Sequence, residues 1–259
     1  MTADSPLAGR TILVTRPIDR SERLVNLLDQ RGATVIPAPS IELKPVRSAE
    51  LTRALRDLAA GDFAWIVLTS PATVRMLDER LEGPNDVRAE VAAIGEGTAA
   101  AFARWARREP KLLPKTFTVH GLARAFPRGE GRVLCARADI APDGLEDALA
   151  AKGWSPTRVD AYRTVFPKTL PRAAKTALAS GRVDAITFTS ASTVRGFQQA
   201  FGTTIITGNP KIVCIGPVTA KQAREAGMTV HAVADPHTTG GLLDALERAL
   251  RPRRRAARG

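Results

Sequence analysis

The sequence predicts an α/β protein that consists of two similar lobes with parallel sheets. Short apolar segments rich in β-forming residues alternate with amphipathic segments of about 10–15 residues, a pattern typical of βαβ units. A strand-to-helix junction also occurs twice, as Thr69-Ser70 and again 120 residues later as Thr189-Ser190. This interval is far longer than a solenoid repeat and is long enough for each copy to bury its own core. The sequence therefore indicates an internal duplication.

Three further pairs of segments recur at nearly the same interval. Each member of a pair has the same place in the strand and helix pattern of its copy. Ile94 to Ala99 matches Ile215 to Ala220, and Gly121-Leu122 matches Gly241-Leu242. Gly9-Arg10, followed by a strand and Arg16, matches Gly131-Arg132, followed by a strand and Arg137. Because the matches keep their order along the chain, chance similarity does not explain them.

Hydrophobic periodicity predicts the elements in chain order. Strands are expected at 11–15, 34–36, 40–45, 63–69, 90–94, 132–136, 156–165, 183–189, 211–215 and 229–233. Helices are expected around Leu24 to Leu28 and at 48–60, 71–81, 96–107, 120–126, 143–152, 170–180, 191–201, 217–226 and 239–250. Pro71 and Pro217 fit the first turns of their helices. Segments 40–45 and 159–165 alternate apolar and polar residues, as strands with one face in solvent do.

Composition argues against a membrane protein and a metalloprotein. No apolar run approaches the roughly 18 residues of a membrane-spanning helix, and the first residues lack the order of a signal peptide. Cys135 and Cys214 lie in apolar, strand-like segments, which indicates buried free thiols in a reducing cytoplasm. His120, His231 and His237 lack the spacing of a metal site. We therefore expect a cytoplasmic protein that contacts no membrane.

The net charge of +12 favours an anionic partner. Five of the positive charges lie in the tail from Arg251 to Arg258, so the body carries less. A solvated, arginine-rich surface with a disordered tail explains the charge equally well. Aromatic residues make up 5% of the chain and are spread thinly, which argues against a nucleic-acid-binding protein. Charge alone does not choose between an anionic small molecule and nucleic acid as the partner.

Polar residues gather where predicted strands end. In open parallel sheets, ligands bind beyond the carboxyl ends of the strands, where helix N-termini attract anions. A lone Ser there is more often an N-cap, but four such helix starts, duplicated, predict a surface for carboxylates or phosphates. Arg16 and Arg137 add two guanidinium groups, whose alternative role is an ordinary surface ion pair. The other candidates are Thr69, Ser70, Thr98, Ser190, Ser192 and Thr219.

A nucleotide cofactor is not expected. Gly95-Glu96-Gly97-Thr98-Ala99-Ala100 fits the dinucleotide fingerprint, but the acidic ribose-binding residue about 20 positions later is missing. The second copy also has Val218 in place of Gly97. No Walker A loop, Ser-His-Asp order or paired-carboxylate motif is present. A cofactor-free activity and a binding module both remain open.

Tyr162 is the only tyrosine in the chain. It lies in an alternating strand, where it could simply pack across a strand pair. Its neutral phenol could also donate a proton to a leaving oxygen.

Together these segments resemble the uroporphyrinogen-III synthase family. The resemblance is carried by Ile12 to Pro17, the two Thr-Ser junctions, Asp160 to Thr164, Ile215 to Ala220 and Ala234 to Leu242. In that order they cover the chain from Gly9 to Leu250. Ala72 departs from the polar residue that many members have after Thr-Ser-Pro, and the tail after Leu250 is not part of the family pattern.

The resemblance implies two flavodoxin-like lobes joined by a two-stranded ladder, with the active site in the cleft between them. Residues 1–39 and 169–259 would build one lobe and 47–159 the other. Segments 40–46 and 160–168 would form the ladder, in agreement with their alternating patterns. Thin linkers of this kind permit hinge closure over a substrate.

The resemblance also implies a monomeric, cofactor-free lyase that acts on hydroxymethylbilane, a linear tetrapyrrole with eight carboxylates. Loss of its hydroxyl gives an azafulvene, and attack by the substituted position of the last pyrrole gives a spiro intermediate. Fragmentation and reclosure then yield uroporphyrinogen III with that ring inverted. Tyr162 is the implied proton donor, and the cleft is implied to be lined by Thr69, Ser70, Thr98, Ser190 and Thr219. The main alternative is a synthase-like ligand-binding or regulatory protein without catalytic activity.

Overall fold

The computed structural model describes residues 5–202 and 206–251, and the arginine-rich tail after Arg251 lies outside them. The strands are β1 (Thr11–Val14), β2 (Thr34–Pro37), β3 (Glu42–Pro45), β4 (Trp65–Leu68), β5 (Glu90–Ala93), β6 (Arg132–Ala138), β7 (Ser155–Val165), β8 (Ala185–Phe188), β9 (Lys211–Cys214) and β10 (Val230–Val233). The helices are α1 (Glu22–Asp29), α2 (Ala49–Ala60), α3 (Pro71–Arg80), α4 (Glu96–Ala106), α5 (Val119–Ala125), α6 (Leu145–Ala150), α7 (Arg172–Ala179), α8 (Ala191–Phe201), α9 (Pro217–Glu225) and α10 (Thr239–Leu250). Each predicted element is present, with its ends within two residues of the prediction.

The chain folds into two compact units, each with a five-stranded sheet. Unit 1 contains the chain up to Glu42 and from Val165 onward, and unit 2 contains Leu43–Thr164. The first sheet has the order β10-β9-β8-β1-β2, and the second has the order β3-β7-β6-β4-β5. Within unit 1 the strands follow the chain as 2-1-3-4-5, which is the flavodoxin-like order. The predicted α/β class with parallel sheets is thereby confirmed.

The two sheets repeat the same neighbour relationships. In the first sheet, β8 lies between β1 and β9 and pairs with both in parallel. In the second sheet, β4 lies between β6 and β5 and also pairs with both in parallel. Leu112 forms a parallel bridge to Ala92 of β5. Its position beside β5 corresponds to that of β10 beside β9 in the first sheet. The duplication read from the sequence therefore relates β1 to β6, β8 to β4 and β9 to β5.

Both faces of each sheet are buried. In the first sheet, Leu13 packs with residues of α7, α8 and α9, whereas Ile12 and Val14 pack with α1 and α10. In the second sheet, Ile66 faces α2, α3 and α4, whereas Val67 faces α5 and α6. Successive side chains alternate between the two faces, as the period of a strand requires. Each fully buried aliphatic side chain contributes about 1.5–3 kcal/mol of transfer free energy.

Paired glycines of the duplication allow the same close backbone approach in each unit. A Cβ atom at Gly121 would overlap the carbonyl oxygen of Thr116, and one at Gly241 would overlap that of Pro236. The backbone N–H groups of these two glycines donate to Thr118 Oγ1 and Thr238 Oγ1, the N-caps of α5 and α10. Only glycine fits at this point of either copy, which explains why both copies have it.

Strand β3 is the edge strand of the second sheet and lies beside β7. The chain passes between the units after Glu42 and again after Thr164. Both crossings fall inside the segments 40–46 and 160–168. We propose that these two segments are the linkers between the lobes. One lobe then comprises 1–39 and 169–259, and the other comprises 47–159.

Candidate active site

The carboxyl edge of the first sheet brings together four of the predicted site residues. Because β1, β8 and β9 are parallel neighbours, their carboxyl ends meet at one edge. Arg16 follows β1, Ser190 and Ser192 follow β8, and Thr219 lies in the first turn of α9 after β9. These residues come from distant parts of the chain, and the parallel sheet is what makes them neighbours.

The N-terminus of α8 is closed by a capping box. Ser190 Oγ accepts a hydrogen bond from the Thr193 N–H at 3.1 Å, and Thr193 Oγ1 accepts one from the Ser190 N–H at 3.2 Å. Ser190 Oγ also lies 2.8 Å from Ser192 Oγ. The cap satisfies part of the first turn, and the positive end of the helix dipole remains at this edge. The arrangement suits a carboxylate ligand.

Arg16 carries an unneutralised charge at the same edge. Its side chain is half-buried, and its Nη1 donates a hydrogen bond to the carbonyl oxygen of Arg20 at 3.4 Å. Within residues 5–202 and 206–251, no carboxylate forms an ion pair with it. Burial, and secondarily the nearby charge of Arg20, lowers the pKa of Arg16. An anion bound here would relieve both effects.

The carboxyl edge of the second sheet holds Thr69, Ser70 and Thr98. Strands β4 and β5 pair in parallel, so the helices that follow them, α3 and α4, begin at the same edge. Ser70 is the N-cap of α3, and its Oγ accepts from the Ala72 N–H at 3.0 Å. Thr69 is half-buried and directly precedes this cap. In the first turn of α3, Pro71 has no N–H group, and those of Ala72 and Thr73 donate to Ser70. The unpaired N–H groups at this edge are therefore those at the start of α4, before Thr98.

Thr98 and Thr219 occupy equivalent places in the two units. Each lies in the first turn of the helix that follows the outer strand, and each is only 4% exposed. Their side chains therefore offer little surface to a ligand. The glycine N-caps that precede them, Gly95 and Gly216, have no side chain for capping, and Gly216 is itself buried.

Arg137 differs from its predicted role. Its side chain is 1% exposed, and its Nη1 donates to both carboxylate oxygens of Glu146 at 2.9 Å. Its Nη2 donates to the carbonyl oxygen of Pro142 at 2.8 Å. The alternative considered for it was a surface ion pair, whereas the observed ion pair is buried. No sequence pattern indicated that Glu146 would reach it, or that the pair would be buried.

Tyr162 lies near the end of β7, at the carboxyl edge of the second sheet. It pairs with Ala138 of β6 after a shift in register, and its carbonyl oxygen accepts from the Asp139 N–H at 3.1 Å. The side chain is half-buried against the hydrophobic cluster formed with α2, α3 and α4. Packing therefore fixes the ring, while part of the side chain stays accessible.

Two buried thiols take no part in either edge. Cys135 in β6 and Cys214 in β9 are free and fully buried. Burial raises the pKa of both thiols to about 12, so they remain protonated at neutral pH. No set of three or more His, Cys, Asp or Glu side chains in the described part of the chain could hold a metal ion. No helix in that part is both long enough and apolar enough to cross a membrane.

A family model described as "Uroporphyrinogen-III synthase HemD" matches residues 22–244. The match covers most of the chain and includes the residues at both sheet edges except Arg16. The chain belongs to the uroporphyrinogen-III synthase family. The resemblance noted in the sequence is thereby confirmed.

Relatives agree with this family, and a solved structure shares the fold. A curated protein named uroporphyrinogen-III synthase, from Synechococcus elongatus, is 31% identical over 95% of this chain and 97% of its own length. The porphyrin biosynthesis protein HemD of Ruminiclostridium josui is 31% identical over 93% of this chain and 49% of its own length. A crystal structure of a mutant uroporphyrinogen III synthase from Thermus thermophilus superposes with a TM-score of 0.65, at 24% identity, over 93% of this chain and 99% of that one. The comparisons give no support to a non-catalytic regulator.

His237 adds an aromatic ring that the sequence did not predict for this member of the uroporphyrinogen-III synthase family. A Cβ atom at Gly216 would lie 3.5 Å from Cγ of His237, so the imidazole packs over the N-cap of α9. Its Nδ1 donates to the carbonyl oxygen of Ala234 at 2.8 Å. Phe117 packs over Gly95 in the same way in unit 2. Aligning the two copies residue by residue matches Phe117 with His237 but does not show that either ring packs over a glycine.

Proposed function

We propose that this chain cyclises hydroxymethylbilane to uroporphyrinogen III, with loss of water and inversion of the last pyrrole ring. The observation that carries the proposal is the family match over residues 22–244. The curated relative from Synechococcus elongatus is named for the same activity and aligns over nearly the whole of both chains. The reaction makes the protein a lyase of porphyrin biosynthesis.

The two sheet edges suit the charge of this substrate. The bilane carries eight carboxylates, and the chain has a net charge of +12. Helix N-termini begin after β4, β5, β8 and β9, and each favours an anionic group. Arg16 adds a guanidinium that no carboxylate of the described residues neutralises. The substrate's acetate and propionate groups are the natural counter-ions for these positions.

Tyr162 is the proposed proton donor. Its phenol gives a proton to the leaving hydroxyl of the bilane, and the departing water leaves an azafulvene. The substituted carbon of the last pyrrole then attacks, and the spiro intermediate fragments and recloses with that ring inverted. A final proton loss to the Tyr162 phenolate restores the aromatic pyrrole and the phenol, so water is the only other product. A positioned acid of this kind contributes about 10²–10⁴-fold to a rate.

The rest of catalysis is positioning. A free bilane also closes spontaneously without inversion, so the enzyme must hold its two ends in the geometry that leads to the spiro intermediate. Fixing reacting groups in this way contributes up to roughly 7–11 kcal/mol in favourable systems. Thr69, Ser70, Ser190, Ser192 and Arg16 are the groups that we assign to holding the carboxylates.

Further properties follow from the same proposal. We propose that the enzyme works without a cofactor, as a monomer, and that nucleic acid is not its partner. The buried free thiols support a location in the reducing cytoplasm.

A coupled assay tests the proposal. Purified protein receives freshly generated hydroxymethylbilane, and the oxidised porphyrin isomers are separated chromatographically. Enrichment of isomer III over a heat-denatured control is the expected result. Isomer I alone, formed in the presence of protein with native circular dichroism, would overturn the proposed function.

A further inference from the structure

Two exposed apolar side chains lie at the carboxyl edge of the first sheet. Ile18 is 67% exposed and Val218 is 52% exposed. Ile18 lies four residues after β1, in a 3-10 helix that buries none of its residues, and Val218 lies in the first turn of α9. Only two other large hydrophobic side chains are exposed in the described part of the chain, Leu113 and Ile206. Single exposed apolar side chains are common on protein surfaces, so the place of these two at the sheet edge is what distinguishes them.

The two side chains flank the cap of α8. Strand β8 lies between β1 and β9, so the segments that carry Ile18 and Val218 emerge on either side of Ser190. Two strand spacings separate β1 from β9, a distance of roughly 10 Å. Arg16 lies two residues before Ile18. Apolar and anion-binding groups therefore alternate along this edge.

The duplication provides an internal comparison. In unit 2, Gly97 takes the place of Val218, and Asp139 stands two residues after Arg137, where Ile18 stands after Arg16. The Asp139 carboxylate accepts from the backbone N–H groups of Ile140 and Thr164, both at 2.9 Å. The second edge therefore lacks both apolar side chains. If packing within the fold required these apolar side chains, both units would have them. Their presence at the first edge alone therefore needs another explanation.

We propose that Ile18 and Val218 form an apolar contact surface for pyrrole rings of the bilane, while Arg16 and the α8 cap bind the carboxylates on those rings. The proposal rests on the proposed function and assigns the ring contacts to unit 1. A tetrapyrrole has the matching chemistry, because its rings are apolar on their faces and carry anionic side chains at their rims. Charge complementarity selects this anionic occupant over a second copy of the chain, which carries the same net charge of +12.

Calorimetric titration with uroporphyrinogen III under anaerobic conditions tests the proposal without requiring turnover. The double variant Ile18→Ser with Val218→Ser should bind at least ten-fold more weakly than the wild type, and the heat-capacity change of binding should become less negative, as loss of apolar contact predicts. The salt dependence of binding should stay unchanged in this variant, whereas Arg16→Ala should reduce it. Ile206→Ser is the matched control, because Ile206 is an exposed isoleucine of unit 1 that precedes β9 at the opposite edge.

Removing exposed apolar groups should leave the melting temperature of the double variant unchanged. Should it fail to fold, the single variants replace it, each with an expected three-fold loss of affinity. Binding within two-fold of wild type, with an unchanged heat-capacity change, overturns the inference while isomer III formation by the wild type still upholds the proposed function. Isomer I alone from the wild type overturns the proposed function and this inference together.

Discussion

Arg137 and Glu146 form a buried ion pair, with Nη1 of the arginine 2.9 Å from both carboxylate oxygens. Arg16 holds the equivalent place in unit 1, but Val25 stands nine residues after it, where Glu146 stands nine residues after Arg137. One side chain in the following helix thus distinguishes an arginine in a buried ion pair from one that has no carboxylate partner among the described residues. The two copies of the duplicated unit therefore differ in the partner of this arginine.

Arg16→Ala should therefore affect mainly KM, whereas Arg137→Ala should affect mainly stability. The first removes a charge with no carboxylate partner, so we expect a rise in KM of at least five-fold and little change in stability. The second leaves Glu146 largely buried without its partner, at a cost of about 3 kcal/mol in the free energy of unfolding. Steady-state kinetics and urea denaturation measure the two effects.

Val25→Glu provides the converse test. A carboxylate at this place should pair with Arg16 as Glu146 pairs with Arg137, and KM should rise while stability is kept. Val25→Gln is the uncharged control. An unchanged KM in Val25→Glu, with a folded protein, would contradict the assignment of Arg16 to anion binding.

Tyr162→Phe should separate chemistry from binding. The phenyl ring still packs against the hydrophobic cluster of unit 2, so the melting temperature should equal that of the wild type within error. The affinity for uroporphyrinogen III should stay within two-fold of the wild-type value. Without the phenol proton, kcat should fall by roughly 100-fold or more. Single-turnover formation of isomer III measures the step. Unchanged turnover would remove Tyr162 as the proton donor.

Ser190→Ala and Ser192→Ala should differ in stability. Ser190 forms both the N-cap and the capping box of α8, so its loss should lower the free energy of unfolding by about 1 kcal/mol. Ser192 contacts Ser190 Oγ but caps nothing, so Ser192→Ala should raise KM without a comparable loss of stability. Urea titrations beside initial-rate measurements distinguish the two roles. Equal losses of stability would make Ser192 part of the cap.

The buried thiols should shape stability at alkaline pH. In the folded protein the pKa of Cys135 is raised to about 12 by burial, whereas an unfolded thiol ionises near pH 8.5. Between these two pKa values the folded state keeps the thiol proton and the unfolded state loses it. The contribution of this thiol to the free energy of unfolding is therefore fully present below about pH 8.5 and is lost progressively as the pH rises to about 12. Each such thiol should contribute a decline of about 1.4 kcal/mol per pH unit in that window.

Urea titrations between pH 7.5 and 10.5 measure the decline. In Cys135→Ala the free energy of unfolding should decline less steeply with pH than in the wild type, by the contribution of one thiol. Cys214→Ala should behave in the same way. Thiol-labelling reagents should modify neither cysteine until the protein is unfolded. Rapid labelling of the native protein would show that the thiols are accessible.

Local patterns were enough to predict the fold. Apolar segments bounded by Gly and Pro indicated the elements, and the spacing of Thr69-Ser70 and Thr189-Ser190 indicated the duplication. Parallel pairing then placed Arg16, Ser190 and Thr219 at one edge, because strand ends in such a sheet share a direction.

Side-chain partners over longer distances could not be predicted. The burial of Arg137 depends on how α6 packs on β6, which no local pattern reports. The exposure of Ile18 has the same origin, since β1 ends at Val14 and the following 3-10 helix packs none of its side chains in the core. The packing of His237 over Gly216 likewise joins two separate strand ends.

The division of the chain after Glu42 and Thr164 imposes an order on biosynthesis. Unit 2 is encoded without interruption, so it can complete its sheet on the ribosome once residue 164 has emerged. Strands β1 and β2 leave first but must wait for β8, more than 140 residues later, to gain a partner on the other side of β1. Between the emergence of residue 164 and the pairing of β8, the nascent protein is therefore a folded second unit that carries an unfinished two-stranded sheet.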